Sequence, residues 1–345
     1  MNETPNPVPA ARNPTPWLLG LAFGGVVIAV LFGRPLLEFF KVPPKPEDVA
    51  KPHLNRAEQE AECVIEEHVK AIDTFFADSK NNTRAFANEA LGFRSKITLA
   101  SDQLPSTFNW YYKNELSIIR WATGKDISLK KSEDHKRFIR QKFEELIFKP
   151  DQLEDAVKQV LKSYLTHMRS IESKMLVDLR ADVSDFPTAF PLAQLDDKRL
   201  QESYEQALSR AIAATGSSLR GDVATQLVSI IAGEVLTQVA VRLGVSAGIL
   251  GTGAASSWAT FGIGVVVGLI VDQIVAWVWD WWADPKGSLA ADLDKKLDEM
   301  NRLIVDGSTD VQGLRDRLKQ FARERAATRR TAVLSLLQSA GGGTE

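Results

Sequence analysis

The most apolar part of this sequence contains four polar side chains that could do chemistry. Glu234, Gln238 and Arg242 are spaced four residues apart, so on a helix they form one stripe. Asp272 interrupts a second apolar stretch. Because a charge at membrane depth costs at least ~2.5 kcal/mol, such groups normally face protein or water. Either the stripe lines an aqueous path or a proton-binding site, or its helix is amphipathic and lies outside the bilayer while Asp272 reaches towards the interface.

Residues suited to catalysis or metal binding do not form recognisable motifs. The sequence has no H-E-x-x-H or C-x-x-C, and its histidines lack metal-type spacing: His53, His68, His135 and His167. Cys63 lies five residues before His68, which puts the two on different faces of a helix. Residues 244–248 match G-x-S-x-G, but every histidine precedes them and they lie inside an apolar run. We therefore predict a protein that is not an enzyme and carries no metal or cofactor.

The polar stripe belongs to a long apolar run. Residues 243–278 are almost wholly apolar, whereas a bilayer core takes about 20 helical residues to cross. The run must therefore break, and the Gly- and Ser-containing stretch 251–257 is the obvious place. We predict a Gly-rich hydrophobic helical hairpin in the membrane over residues 222–282, here called the apolar tract, with arms at 222–250 and 258–278.

Tryptophans mark the ends of the second arm. Such side chains are enriched where a membrane meets water, and they stand here at Trp258, Trp277, Trp279, Trp281 and Trp282. We predict that they lie at the interface. If the hairpin turns near Ala254, simple pairing puts Glu234 near the level of Asp272, with Arg242 nearer the tip.

Two pairs of glycines have the small-xxx-small spacing that lets membrane helices approach closely. Gly264 and Gly268 are predicted to form the face on which the first arm packs. Gly20 and Gly24 form the other pair, within an earlier apolar block, and allow contact with a second copy of the chain. These glycines are the basis for expecting a homo-oligomer.

The earlier apolar block, residues 17–33, begins at Trp17 and is just long enough to span a bilayer. Arg12 is the only basic side chain before it, and Gly33-Arg34-Pro35 is a poor cleavage site. We interpret the block as an uncleaved transmembrane signal anchor behind a disordered tail, residues 1–16.

The rest of the chain is predicted to be helical, with no strands. Residues 54–220 form a soluble helical domain after a Pro-rich linker at 34–53. Its longest helix should run from Asp151 to about Val183, and apolar residues follow the four-three spacing of a bundle or coiled coil, as at Ile65, Val69, Ile72 and Phe76. Further helices are expected over 284–338, before a flexible tail at 339–345. The last helix is basic, which indicates a solvated face or contact with anionic headgroups.

Composition limits the class of protein. Charged residues make up 25% of the 345 residues and mean hydropathy is −0.13, so any membrane part is local. The net charge of −2 gives no reason to expect nucleic acid as a partner. Cys63 is the only cysteine, which excludes an intramolecular disulfide.

Charges on either side of the first apolar block bear on which side of the membrane the soluble domain lies. Arg34 and Lys41 follow the first apolar block, which taken literally favours the cytoplasm for the residues downstream. However, long domains translocate largely regardless of charge, and an anchor behind a short polar tail usually exports the domain on its C-terminal side. We expect a bacterial inner-membrane protein with an extracytoplasmic soluble domain. A hairpin returns residues 283–345 to that side, whereas a single crossing leaves them in the cytoplasm.

The expected architecture is all-α: a membrane-anchored helical bundle or coiled coil with an N-terminal transmembrane helix and the hydrophobic hairpin. Two functions fit it. The first is a non-enzymatic scaffold or interaction protein, with membrane lipids and a second copy as partners. The second is a pore-forming or membrane-remodelling protein that acts through the apolar tract.

Overall fold

The computed structural model describes residues 42–102, 127–214, 223–245, 262–283 and 287–338. These residues are predominantly helical, which confirms the all-α prediction. Several predicted features lie outside the described residues: the tail 1–16, the signal anchor 17–33 with Trp17, Gly20 and Gly24, the break 251–257, Trp258 and the tail 339–345.

The described elements, numbered in chain order, are α1 (Pro46–Cys63), α2 (Ile65–Lys80), α3 (Thr83–Asp102), α4 (Ile127–Leu146), α5 (Pro150–Asp182), a 3₁₀ turn (Pro191–Gln194), α6 (Asp197–Ala214), α7 (Val223–Arg242), α8 (Ile263–Ala283), α9 (Leu289–Val305), β1 (Gly307–Ser308), β2 (Val311–Gln312) and α10 (Leu314–Gln338).

The longest helix agrees with its prediction. α5 has 33 residues, about 50 Å at 1.5 Å per residue. It begins at Pro150, where the missing N–H and the fixed φ of proline suit the first turn. The backbone N–H of Lys149 donates to Gln152 Oε1 at 2.8 Å and so helps to cap the N-terminus of the helix. Local chemistry therefore accounts for the start of α5.

The predicted linker ends earlier than expected. Residues 34–53 read as an irregular Pro-rich segment, yet α1 already begins at Pro46 and contains Pro52. Pro46 suits the first turn, where N–H groups lack intrahelical acceptors, whereas Pro52 lies beyond that turn and removes one hydrogen bond of the helix. The C-terminal part of the predicted Pro-rich linker is therefore helical.

A small β-hairpin between α9 and α10 was not expected from the sequence. β1 and β2 are antiparallel, with Gly307 opposite Gln312 and Ser308 opposite Val311. Strands of two residues are too short to show the alternation that identifies a strand. Gly307 adopts φ +77°, a backbone conformation that side chains other than glycine disfavour.

One hydrophobic core connects the described helices. The predicted seam residues Ile65, Val69, Ile72 and Phe76 are buried in it. α7 occupies a central position, because it packs against α5, α8, α9, α10 and β2. The described residues from Val49 onwards belong to one compact unit. The apolar tract and the charged helices around it therefore share a single interior.

Candidate functional site

The apolar tract is the candidate functional site, and its first arm is covered by the protein itself. Within α7, buried residues point to most sides of the helix, as do Leu227, Val228, Leu236 and Thr237. A helix that is apolar all round is buried in a core or a membrane. In α7 the covering surface comes from five other elements of the chain.

The second arm is only partly covered. Among the described residues, α8 is the one helix long and apolar enough to cross a membrane, over Ile263–Trp281 with a mean hydropathy of 1.7. Yet 44% of that stretch is buried inside the fold. Val271 is fully buried, whereas Val265 is 51% exposed. α8 therefore has more apolar surface than its neighbours α4, α5 and α7 cover.

Each charged side chain singled out in the tract has an ion-pair partner elsewhere in the bundle. Glu234 Oε2 accepts from Arg317 Nη2 of α10 at 2.8 Å. Arg242 Nη2 donates to Asp310 Oδ2, in the turn of the β-hairpin, at 2.5 Å. Arg140 Nη1 of α4 donates to Asp272 Oδ1 at 2.5 Å. These pairs supply the counter-charge that the sequence alone could not assign.

The remaining member of the stripe is less well satisfied. Gln238 Oε1 is buried without a hydrogen-bond partner among the described residues. Leaving a buried acceptor unpaired costs ~1–3 kcal/mol. The stripe therefore combines two paired charges with one amide whose oxygen is unpaired.

The relative level of the polar groups differs from the predicted pairing. Gly244, just past the end of α7, lies so close to Gln273 that an added Cβ would be 3.3 Å from its Nε2. The residue next to Asp272 therefore reaches the chain just past the C-terminal end of α7, ten positions after Glu234.

The glycines of α8 do not form the predicted face for α7. A Cβ added at Gly264 would lie 3.2 Å from Glu154 Oε2 of α5, and one added at Gly268 would meet nothing within 4 Å. The close approach at Gly264 is therefore to α5, and Gly268 faces open space.

The tryptophan cluster lies against the bundle. Trp277, Trp279 and Trp281 are partly buried and pack on the hydrophobic core, while the side chain of Trp282 is not among those described. The core accounts for much of their apolar surface without a membrane interface. Their interfacial role stays a prediction.

A second polar site lies deep in the bundle and was missed from the sequence. The Glu172 carboxylate of α5, 2% exposed, accepts both Arg325 Nε and Arg325 Nη2 at 2.8 Å. Arg329, 1% exposed, places Nη1 3.7 Å from the same carboxylate. Two of its nitrogens, Nε and Nη2, have no partner among the described residues. The Tyr204 hydroxyl interacts with the same carboxylate. Burial raises the pKa of Tyr204, so its hydroxyl stays protonated.

The sequence does contain a signal for this buried site. Arg325 and Arg329 continue the four-three spacing of the apolar positions of α10, namely Leu318, Ala322, Val333 and Leu336. The predicted solvated or lipid-facing role of the last helix is therefore wrong for these two arginines. The overall basic character of α10 does not show that these two arginines lie on its inward face.

The G-x-S-x-G string has a structural role where it is described. Gly244 adopts φ +97°, and the Val245 N–H donates to Ala240 O at 3.0 Å, an arrangement that ends α7. Residues 246–248 lie outside the described residues. Among the residues that the structure describes, no group of three or more His, Cys, Asp or Glu side chains could hold a metal ion. Comparison of the chain with protein-family models, curated proteins and solved structures finds no match.

Proposed function

We propose that this protein is a non-enzymatic, membrane-anchored helical scaffold, held in a bacterial inner membrane by residues 17–33. Its bundle lies on the extracytoplasmic side and presents its surface to protein partners or to a second copy. The observation that carries the proposal is the pairing of Glu234, Arg242 and Asp272 with charged groups of the bundle. The hairpin is then a structural part of the scaffold and not a separate membrane domain.

Ion pairing and burial of apolar side chains favour retention of the hairpin in the bundle. Moving it into lipid breaks three ion pairs and exposes the core face of α5, α9 and α10 that α7 covers. Burial of one large aliphatic side chain is worth about 1.5–3 kcal/mol, and α7 alone buries several. A bilayer would surround the apolar side chains of α7. It would not cover the faces of α5, α9 and α10 from which α7 had moved.

Cysteine labelling in a Cys63→Ser background tests this arrangement. Val265→Cys places a thiol at a half-exposed position of α8, and Val271→Cys is the matched control at a fully buried position of the same helix. A membrane-impermeant maleimide should label position 265 and not position 271 in sealed vesicles that expose the extracytoplasmic face. Protection of both positions in vesicles of either orientation would contradict the proposal.

A pore-forming or membrane-remodelling protein is the second candidate, and the exposed apolar surface of α8 is the specific observation that favours it. In that function the bundle is a storage form, and insertion of α8 requires release of Asp272 from Arg140. Dye-loaded vesicles with purified full-length protein test it. Leakage that changes with Asp272→Asn but not with Asp280→Asn, on the same helix, would support a pore. Stable oligomers in detergent without leakage would support the scaffold.

A further inference from the structure

Two histidines from different helices meet at the partly exposed surface of the bundle. His68 Nε2 of α2 and His167 Nδ1 of α5 are 3.3 Å apart. Their rings are nearly perpendicular, at 84°, with centroids 5.5 Å apart. Neither side chain takes part in the scaffold or pore functions proposed above. The sequence gives no hint of the pair, because its members are 99 positions apart.

The separation of the two nitrogens fits a tetrahedral metal ion. Zinc binds imidazole nitrogen at about 2.0–2.1 Å, so tetrahedral angles place two such nitrogens about 3.3–3.4 Å apart. The observed 3.3 Å therefore equals one edge of that tetrahedron. Imidazole also suits Cu²⁺ and Ni²⁺. In the absence of metal, the same distance is a long hydrogen bond between the two rings.

The surroundings hold the His68 ring in place. Tyr164 contacts His68 edge-on, with ring centroids 5.8 Å apart, and restricts the orientation of the imidazole. Rigid helices on both sides hold the two rings in position.

We propose that His68 and His167 form a binding site for a divalent transition-metal ion of the imidazole-preferring class, with Zn²⁺ as the probe. The ion bridges α2 and α5 through Nε2 of one ring and Nδ1 of the other. Each ring then carries its hydrogen on its other nitrogen. Water completes the tetrahedron. Because the site exists only when α2 and α5 are packed together, metal binding stabilises the folded bundle.

Metal titration of the full-length, tag-free protein in detergent, after treatment with a chelator, tests the site. We expect one equivalent of Zn²⁺ to bind near neutral pH and to raise the Tm. Co²⁺ in place of Zn²⁺ should give the visible absorption of a tetrahedral site. Loss of a group that hydrogen-bonds to a metal ligand lowers metal affinity by roughly 10–100-fold. His68→Gln and His167→Gln each remove a ligand itself and should therefore weaken binding by more than that.

The matched control is His53→Gln, because His53 pairs with Asp182 of α5 and does not contact the proposed site. This variant should bind Zn²⁺ like the unmodified chain. Circular dichroism confirms that each variant is folded. Equal affinity in all three variants, or no saturable binding to the unmodified protein at millimolar Zn²⁺, would overturn the proposal.

Discussion

Arg329 is a charged residue that is almost completely buried. Its guanidinium is 1% exposed, and its nearest groups are the Glu172 carboxylate and, 3.8 Å from Nη1, Met168 Sδ. Together with the partly buried Arg325, it places two cations around one buried carboxylate. Removing one partner of a buried pair leaves an uncompensated charge in a medium that solvates it poorly. Glu172 is therefore the residue on which the local structure depends.

Glu172→Gln should lower the free energy of unfolding by roughly 3–5 kcal/mol, since both arginines then lose their counter-charge while the side-chain volume is kept. Denaturant titration measures this. Asp298→Asn is the control, because Asp298 forms an exposed pair with Lys80, and such pairs are worth about 0–1 kcal/mol. A loss no larger in Glu172→Gln than in the control would contradict the argument.

His68 should make stability depend on pH in the absence of metal. Its pKa is lower in the folded chain than the ordinary 6.5, so between those two values the unfolded chain binds more protons. Stability therefore falls as the pH drops through and below about 6.5. His68→Gln should flatten this part of the profile relative to the unmodified chain, as measured by denaturant titration from pH 5 to 8 with chelator present. An unchanged slope would show that His68 does not contribute.

At the scale of elements, the connection between α9 and α10 depends on a single backbone conformation. Gly307 has φ +77°, and an added Cβ would lie only 2.1 Å from Val311 O. This turn also places Asp310 against Arg242 at the end of α7. A change here therefore affects both the β-hairpin and a contact that holds the apolar tract.

Gly307→Ala should destabilise the protein by well over the ~1 kcal/mol typical of a mismatched backbone conformation, because strain and a backbone clash coincide. Gly92→Ala is the opposite case, since Gly92 lies in α3 with nothing within 4 Å of an added Cβ. It should stabilise by roughly 0.5–1 kcal/mol, the difference in helix propensity. Thermal unfolding of the two variants separates these effects, and shifts of the same sign would refute the assignment.

At the scale of the whole molecule, α7 and α8 share one hydrophobic core with the charged helices. A hairpin dissolved separately in lipid would be insulated from changes deep in the bundle. A hairpin that belongs to the core is coupled to them, because side chains packed together lose their contacts together on unfolding. The two arrangements can therefore be distinguished by a remote substitution.

Glu172→Gln provides that substitution, because Glu172 lies on α5 and its ion-pair partners Arg325 and Arg329 lie on α10. We expect the hydrogen-exchange protection of α8 amides to fall by the same free energy as that of α5 amides. Asp298→Asn should leave both nearly unchanged. Protection of α8 that stays constant while that of α5 falls would show that α8 is stabilised independently, as in a bilayer.

Much of the fold follows from local patterns. The four-three spacing of Ile65, Val69, Ile72 and Phe76 predicts a buried helix face, and Pro150 marks the start of α5 to within one residue. The β-hairpin was not predicted, because its strands have only two residues each and are too short to show alternating apolar and polar positions. The candidate site could be listed from the sequence, since Glu234, Arg242 and Asp272 stand out against apolar neighbours. Their partners Arg317, Asp310 and Arg140 could not, as nothing local distinguishes those charges from others.

The amino-acid sequence by itself determined that the chain is helical and that residues 222–282 require an environment other than water, because helix periodicity and hydropathy are properties of neighbouring residues. Only the tertiary structure decided what covers α7 and which charge meets which, because a core and a bilayer satisfy the same apolar pattern. Contacts such as Glu172 with Arg325, 153 positions apart, exist only once the helices have packed.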